Sequence, residues 1–137
     1  MTQPIVIDCD PGHDDAIAIL LALASPEVEV RAITVVGGNQ TLEKVTRNAL
    51  KVLELVDRTD VPVAVGAGAP LQRTLRTAAH VHGESGMDGP ALPEPTTKPV
   101  DAEAADFLAE VLQDGDVLVP TGPLTNVALM LRRHPEV

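Results

Sequence analysis

The sequence has no tryptophan and no tyrosine, and its single phenylalanine is Phe107. Stacking a ligand between aromatic rings is therefore a task these residues leave to another part of a longer chain or to a partner. There is one cysteine, Cys9, so an internal disulfide is impossible and the composition fits a reducing compartment. Basic side chains are scarce, with 10 Lys and Arg against 20 Asp and Glu and a net charge of −10. That balance argues against nucleic acid, which is gripped through its phosphates by basic patches. It leaves a small neutral substrate or a divalent cation open. No basic-then-apolar leader opens the sequence, and no apolar run is long enough to cross a bilayer. The expectation is a soluble, cytoplasmic protein with no membrane partner. At 137 residues and 45% hydrophobic side chains, one domain with one core is expected.

What is present is concentrated at the N-terminus. Ile5-Val6-Ile7 reads as a buried strand, and Asp8, Asp10, Asp14 and Asp15 follow within eight positions, divided by Pro11-Gly12. The apolar run Ile17–Ala24 comes next, giving strand, tight acidic turn and helix, the helix apolar almost all round and so expected to be buried on more than one side. Asp14 and Asp15 could simply favour a helix N-terminus, which accounts for at most two of the four acids. Asp8 and Asp10, at the end of a buried strand, call for a cation, a shared proton or both. Oxygen donors of this kind suit a hard cation, and no Cys/His set of zinc type is present. A calcium-binding EF-hand is excluded: twelve positions along from Asp8, counting it as the first, stands Ile19 where a glutamate is required.

Further along, the β-branched segment 28–36 predicts an inner parallel strand broken by Gly37-Gly38-Asn39. Thr41 is placed to cap a helix carrying Leu42, Val45, Ala49, Val52, Leu53 and Val56 at helical spacing, and residues 61–65 form a short strand. Residues 66–99 are rich in Gly and Pro and carry His80 and His82; so long a loop is expected to be functional or mobile. Asp101 is expected to cap the next helix, which Gly115 ends. A strand over 116–119 and a helix opened by Gly122-Pro123 follow, with Leu124, Val127, Ala128 and Leu131 as its apolar face. The order β-α-β-α-β-loop-α-β-α predicts an α/β fold: a mostly parallel sheet flanked by helices, Rossmann-like in order. Ligands bind such sheets beyond the carboxyl ends of the strands. Asp8, Asp10, Asp14, Asp15, Asn39, His82, Thr121 and Asn126 all fall at those ends. Asn126, at a helix start, is expected to bond its own loop, and His13 and His80 to be peripheral.

Asp8-Cys9-Asp10-Pro11-Gly12-His13-Asp14-Asp15-Ala16 resembles the N-terminal signature of the inosine-uridine-preferring nucleoside hydrolases, Asp-x-Asp-Pro-Gly-x-Asp-Asp-Ala. Gly37-Gly38-Asn39, the segment from His82 to Pro90 and the segment from Thr121 to Asn126 extend the likeness in family order. Cys9 and Met87 are mild departures from the family's usual Thr and Leu. The resemblance implies hydrolysis of the N-glycosidic bond of ribonucleosides with the help of Ca2+. It implies that Asp10 and Asp15, with the backbone carbonyl of Thr121, hold the ion. Asp10 is also the implied base on a calcium-activated water. Asp14 and Asn39 would bind the ribose hydroxyls, and Asp8 would support its neighbours. His82 would either protonate the leaving base or only brace its loop. Family members are usually homo-oligomers. Their chains are considerably longer, so residues 1–137 correspond to the N-terminal portion of one α/β domain, incomplete by itself. A further calcium ligand, more ribose contacts and a second histidine are expected beyond it, and weak calcium binding with little turnover is expected of these residues alone.

Two other readings stay open at this point. An apolar strand followed by Asp-x-Asp is also the hallmark of haloacid-dehalogenase-type phosphatases, with Asp8 as nucleophile and Asp10 as acid/base. The third reading is a non-catalytic remnant that retains half a site.

Overall fold

Side chains along a strand alternate between the two faces of its sheet, and the first strand uses that alternation to build two cores and a site. In the computed structural model, which describes residues 2–137, β1 runs Gln3–Cys9. Ile5, Ile7 and Cys9 enter one apolar cluster, and Val6 enters another on the opposite face. The first cluster is completed by α1 (His13–Ala24) and α2 (Leu42–Leu55); the second by α4 (Ala104–Val111) and α5 (Thr125–Arg133). Between them lies a four-stranded sheet in the order β3-β2-β1-β4, with β2 at Val28–Val35, β3 at Val63–Val65 and β4 at Val117–Pro120. All pairings are parallel, as the alternation of strands and helices predicts. Asp8 shares the face of Val6 and pairs in register with Thr34 of β2 and Pro120 of β4. All four strands thus point their carboxyl ends at the same edge, where the polar residues gather.

Five expectations need correction. α1 is not enclosed: Ile17 and Leu21 are 65% and 67% exposed, because the helix lays one stripe, centred on Ile19, against the first core and no described element covers the other. α4 is capped by Glu103, whose carboxylate accepts from Ala105 N–H, not by Asp101. Val100 and Glu103 run extended beside β3, so the chain cannot turn into a helix sooner. That helix also ends earlier than expected, at Val111 with Leu112 as its cap, well before Gly115. α5 starts at Thr125, beyond Pro123, because Thr121 and Gly122 N–H both donate to the Asp8 carbonyl and hold the turn open. Its buried side chains are Thr125, Asn126 and Met130, while Leu124 and Leu131 face outward.

The segment 66–99 holds one short helix, α3 (Ala79–His82), and is fastened along most of its length. Gly37 N–H donates to Ala67 O and Ala78 N–H to Asn39 O. The Gln40 amide donates to Gly83 O, and the Glu54 carboxylate accepts from both Thr96 and Thr97. Residues 68–77 carry none of these ties. A cavity of about 490 Å3 lies between that stretch, Gly37-Gly38 and Pro123.

Candidate active site

The acidic turn is built inward from Asp8. Its side chain is fully buried; one oxygen accepts from Thr34 Oγ1 at 2.7 Å and from Asn126 Nδ2 at 2.8 Å. The other oxygen, Oδ2, has no partner. Burial drives the Asp8 pKa upward, against the lowering pull of the Thr34 and Asn126 bonds. Asp8 is the wrong group for a phosphatase nucleophile, which must meet its substrate in the open cleft; no exposed oxygen is available to it.

Asp10 stands one step further out and is 5% exposed. Its Oδ2 accepts from the Asn39 backbone N–H at 2.6 Å, and its carbonyl from the Asn39 amide at 3.1 Å. Its own N–H donates to Asp15 Oδ2 at 3.0 Å. Burial raises the Asp10 pKa to about 7, opposed by the Asn39 N–H and reinforced by the neighbouring charge and carboxyl contact of Asp15. The carboxylate is also boxed in by backbone: a Cβ built on Gly38 would lie 2.1 Å from Asp10 Oδ2. Between Asp8 and Asp10, Cys9 is buried, with its thiol pKa pushed far up by burial and by the surrounding carboxylates. It is not a nucleophile.

Asp8, Asp10, Asp15, Asn39 and His82 are therefore brought together around Pro11-Gly12. Thr121 joins through its backbone bond to Asp8 O at 2.9 Å. Asp14 sits on the first turn of α1, exposed and free of the hydrogen bonds that tie the others. Asp88 shapes its loop, accepting from Glu84 N–H, Ser85 N–H and Ser85 Oγ.

Two residues matter more than the sequence suggests. Asn126 does not bond its own loop. It is fully buried, donates to Asp8 and to Val35 O, and accepts from Ala67 N–H at 2.9 Å, joining four segments of the chain. The cue was its place in the Thr-Gly-Pro-x-x-Asn block after β4. His13 is not peripheral: it lies stacked against His82, with ring centroids 5.6 Å apart.

Hard oxygen donors with uncompensated charge suit a divalent cation. Asp8, Asp10 and Asp15 have no cationic side chain paired with them among the described residues. The unpartnered Asp8 Oδ2 and the burial of the Asp10 carboxylate are costs that a cation beside them would offset. Among the described residues no three His, Cys, Asp or Glu side chains converge as a complete ligand set. The donor chemistry fits calcium, with the set only partly supplied by these side chains.

A parallel sheet with carboxylates crowded at the end of its first strand defines a class, and comparison with known proteins gives it a family. The chain belongs to the inosine-uridine preferring nucleoside hydrolases, whose family model matches residues 5–137. It is 59% identical over 140 residues to the pyrimidine-specific ribonucleoside hydrolase RihA of Escherichia coli O1:K1 / APEC, a match covering 100% of this chain and 45% of that protein. RihA of Enterobacter sp. (strain 638) is 57% identical with the same coverage. The solved structure of the plant nucleoside hydrolase PpNRh1 superposes with a TM-score of 0.88 at 39% identity, over 98% of this chain and 44% of that one. The purine-preferring ribonucleoside hydrolase from Gardnerella vaginalis gives 0.91 at 34% identity, over 98% and 45%. The chain thus spans about 45% of the length of these curated relatives and matches only part of the nucleoside hydrolase fold.

Proposed function

We propose that this chain forms the calcium- and ribose-binding part of a ribonucleoside hydrolase, which splits the N-glycosidic bond with water to free base and ribose. The observation that carries the proposal is the buried, uncompensated Asp8–Asp10–Asp15 cluster at the end of β1, within a chain of this family. Asp10, Asp15 and the Thr121 carbonyl would hold Ca2+, which when bound lowers the pKa of a water it coordinates. Asp10 then acts as general base on the attacking water, its carboxylate standing beside the proton to be taken. Asn39 has its amide nitrogen and backbone N–H engaged with Asp10, which leaves its side-chain oxygen to accept from a ribose hydroxyl. Asp14, untethered, takes the other hydroxyl. Asp8 holds the cluster in place through Thr34 and Asn126. Negative surroundings stabilise the positive charge that develops on the sugar. His82 assists the departing base through its ring N–H.

For the base, we favour a pyrimidine, because the 59%-identical relatives are described as pyrimidine-specific. A homo-oligomer in the cytoplasm is the proposed setting, and the buried, unpaired Cys9 thiol suits a reducing one. The test is release of uracil from uridine by the full-length protein with added Ca2+, beside inosine as the purine comparison. Release that a chelator stops and Asp10→Ala lowers by about 10²–10⁴-fold is expected. Chelator-insensitive release, or an Asp10→Ala variant of wild-type rate, would overturn the assignment.

A further inference from the structure

His13 occupies the variable position of the acidic signature, and nothing in the proposed chemistry uses it. Its surroundings are nonetheless specific. The backbone N–H of His13 donates to His82 Nδ1 at 3.4 Å. The His13 ring places its own Nδ1 3.3 Å from the same atom, and its Nε2 2.8 Å from the carbonyl oxygen of Asp88. Gly12 lets the two segments approach this closely, since a Cβ there would stand 2.6 Å from His82 Nδ1. A backbone N–H can only donate. In that bond His82 Nδ1 presents its lone pair, which in a neutral imidazole leaves the ring proton on Nε2. His82 Nε2 has no hydrogen-bond partner among the described residues, although the residue is only 9% exposed.

We propose that His13 is the positioning residue for His82. Its backbone fixes the tautomer that carries the proton on Nε2. Its side chain, braced on the Asp88 carbonyl, holds the ring over the acidic turn so that this proton faces the departing base. The step it serves is the departure of the base: the C–N bond pair leaves with the base, which accepts a hydrogen bond from Nε2–H and takes its proton from solvent, while the attacking water gives a proton to Asp10 and supplies the new C–O bond. This rests on the assignment of His82 to the leaving group, so its failure has to be separable from failure of that assignment.

Two measurements do this in the full-length protein. The first is the nitrogen-15 pattern of the His82 ring by NMR. A protonated Nε2 beside an unprotonated Nδ1 is expected; a proton on Nδ1 overturns the proposal without any variant. The second compares uridine with a nitrophenyl riboside, whose leaving group departs without a proton. His13→Ala should lower kcat on uridine by about 10²-fold through misplacement of the His82 ring, with KM and the nitrophenyl reaction little changed. His13→Gln, which can still donate to the Asp88 carbonyl, should recover part of the loss. Equal losses on both substrates mean a structural role only and overturn the proposal. His82→Ala is the control. If it shows the substrate difference and His13→Ala does not, the positioning role is wrong while the His82 assignment stands. If His82→Ala shows no difference, the His82 assignment itself fails and the proposal with it.

Discussion

Asp8 and Ile17 lie nine positions apart in the sequence and invert the usual rule of burial. The carboxylate is 0% exposed and the isoleucine 65% exposed. Around Asp8 the chain converges: β1, β2, the turn after β4 and α5 all supply a bond or a neighbour. Around Ile17 nothing described converges at all. Burial in this molecule follows position in the sheet topology more closely than side-chain polarity. The carboxyl end of the sheet places polar atoms where only other polar atoms can satisfy them, whereas no described element packs on the outer stripe of α1.

The comparison can be broken most directly at Asn126. Asn126→Ala removes the amide from Asp8 and Val35 and the acceptor from Ala67, leaving buried groups unpaired. A loss of about 2–3 kcal/mol in denaturant unfolding is expected. Gly38→Ala should act more locally: its new methyl collides with Asp10 Oδ2, so calcium affinity measured by titration calorimetry should fall about 10- to 100-fold with a smaller loss of stability.

The pH response sharpens the same contrast. Asp10 has its pKa raised to about 7, so in the absence of metal the folded state holds a proton that the unfolded chain has released above its ordinary value of 3.8. Stability of the metal-free protein should therefore fall as pH rises from about 4 to about 7. Asp8, raised by burial, works in the same direction. Exposed His134, raised by Asp106, does so too, which makes His134→Gln the proper background. Added Ca2+ should increase Tm more at pH 8 than at pH 5; a calcium effect independent of pH would contradict the assignment of Asp10. The smallest effect belongs to the open side of the comparison: Ile17→Ser should change unfolding free energy by no more than about 0.5 kcal/mol.

The sequence made most of the sheet legible, because β-branched runs bounded by Gly and Pro coincide with strands that are buried on both faces. It also marked the acidic turn, since four carboxylates beside a buried strand have few innocent uses. It concealed what depends on distant chain. Asn126 looked local because its partners, Asp8, Val35 and Ala67, are 118, 91 and 59 positions away. α4 begins late because Val100 and Glu103 extend along β3, a pairing no local propensity announces. α1 looked enclosed because composition cannot tell a stripe that meets β2 from one that meets solvent.

The fastening of residues 66–99 has a consequence for how the protein would be cut. Much of that segment is held by hydrogen bonds to Gly37, Asn39, Gln40 and Glu54, and a protease needs several residues of free, extended chain to bind. The untied stretch 68–77 offers that, and it carries Arg73 and Arg76 on the wall of the cavity beside Gly38 and Pro123. Brief digestion with trypsin should open the chain there first, and a ligand filling the cavity should slow the cut, so the rate of nicking becomes a reporter of occupancy next to Asp10.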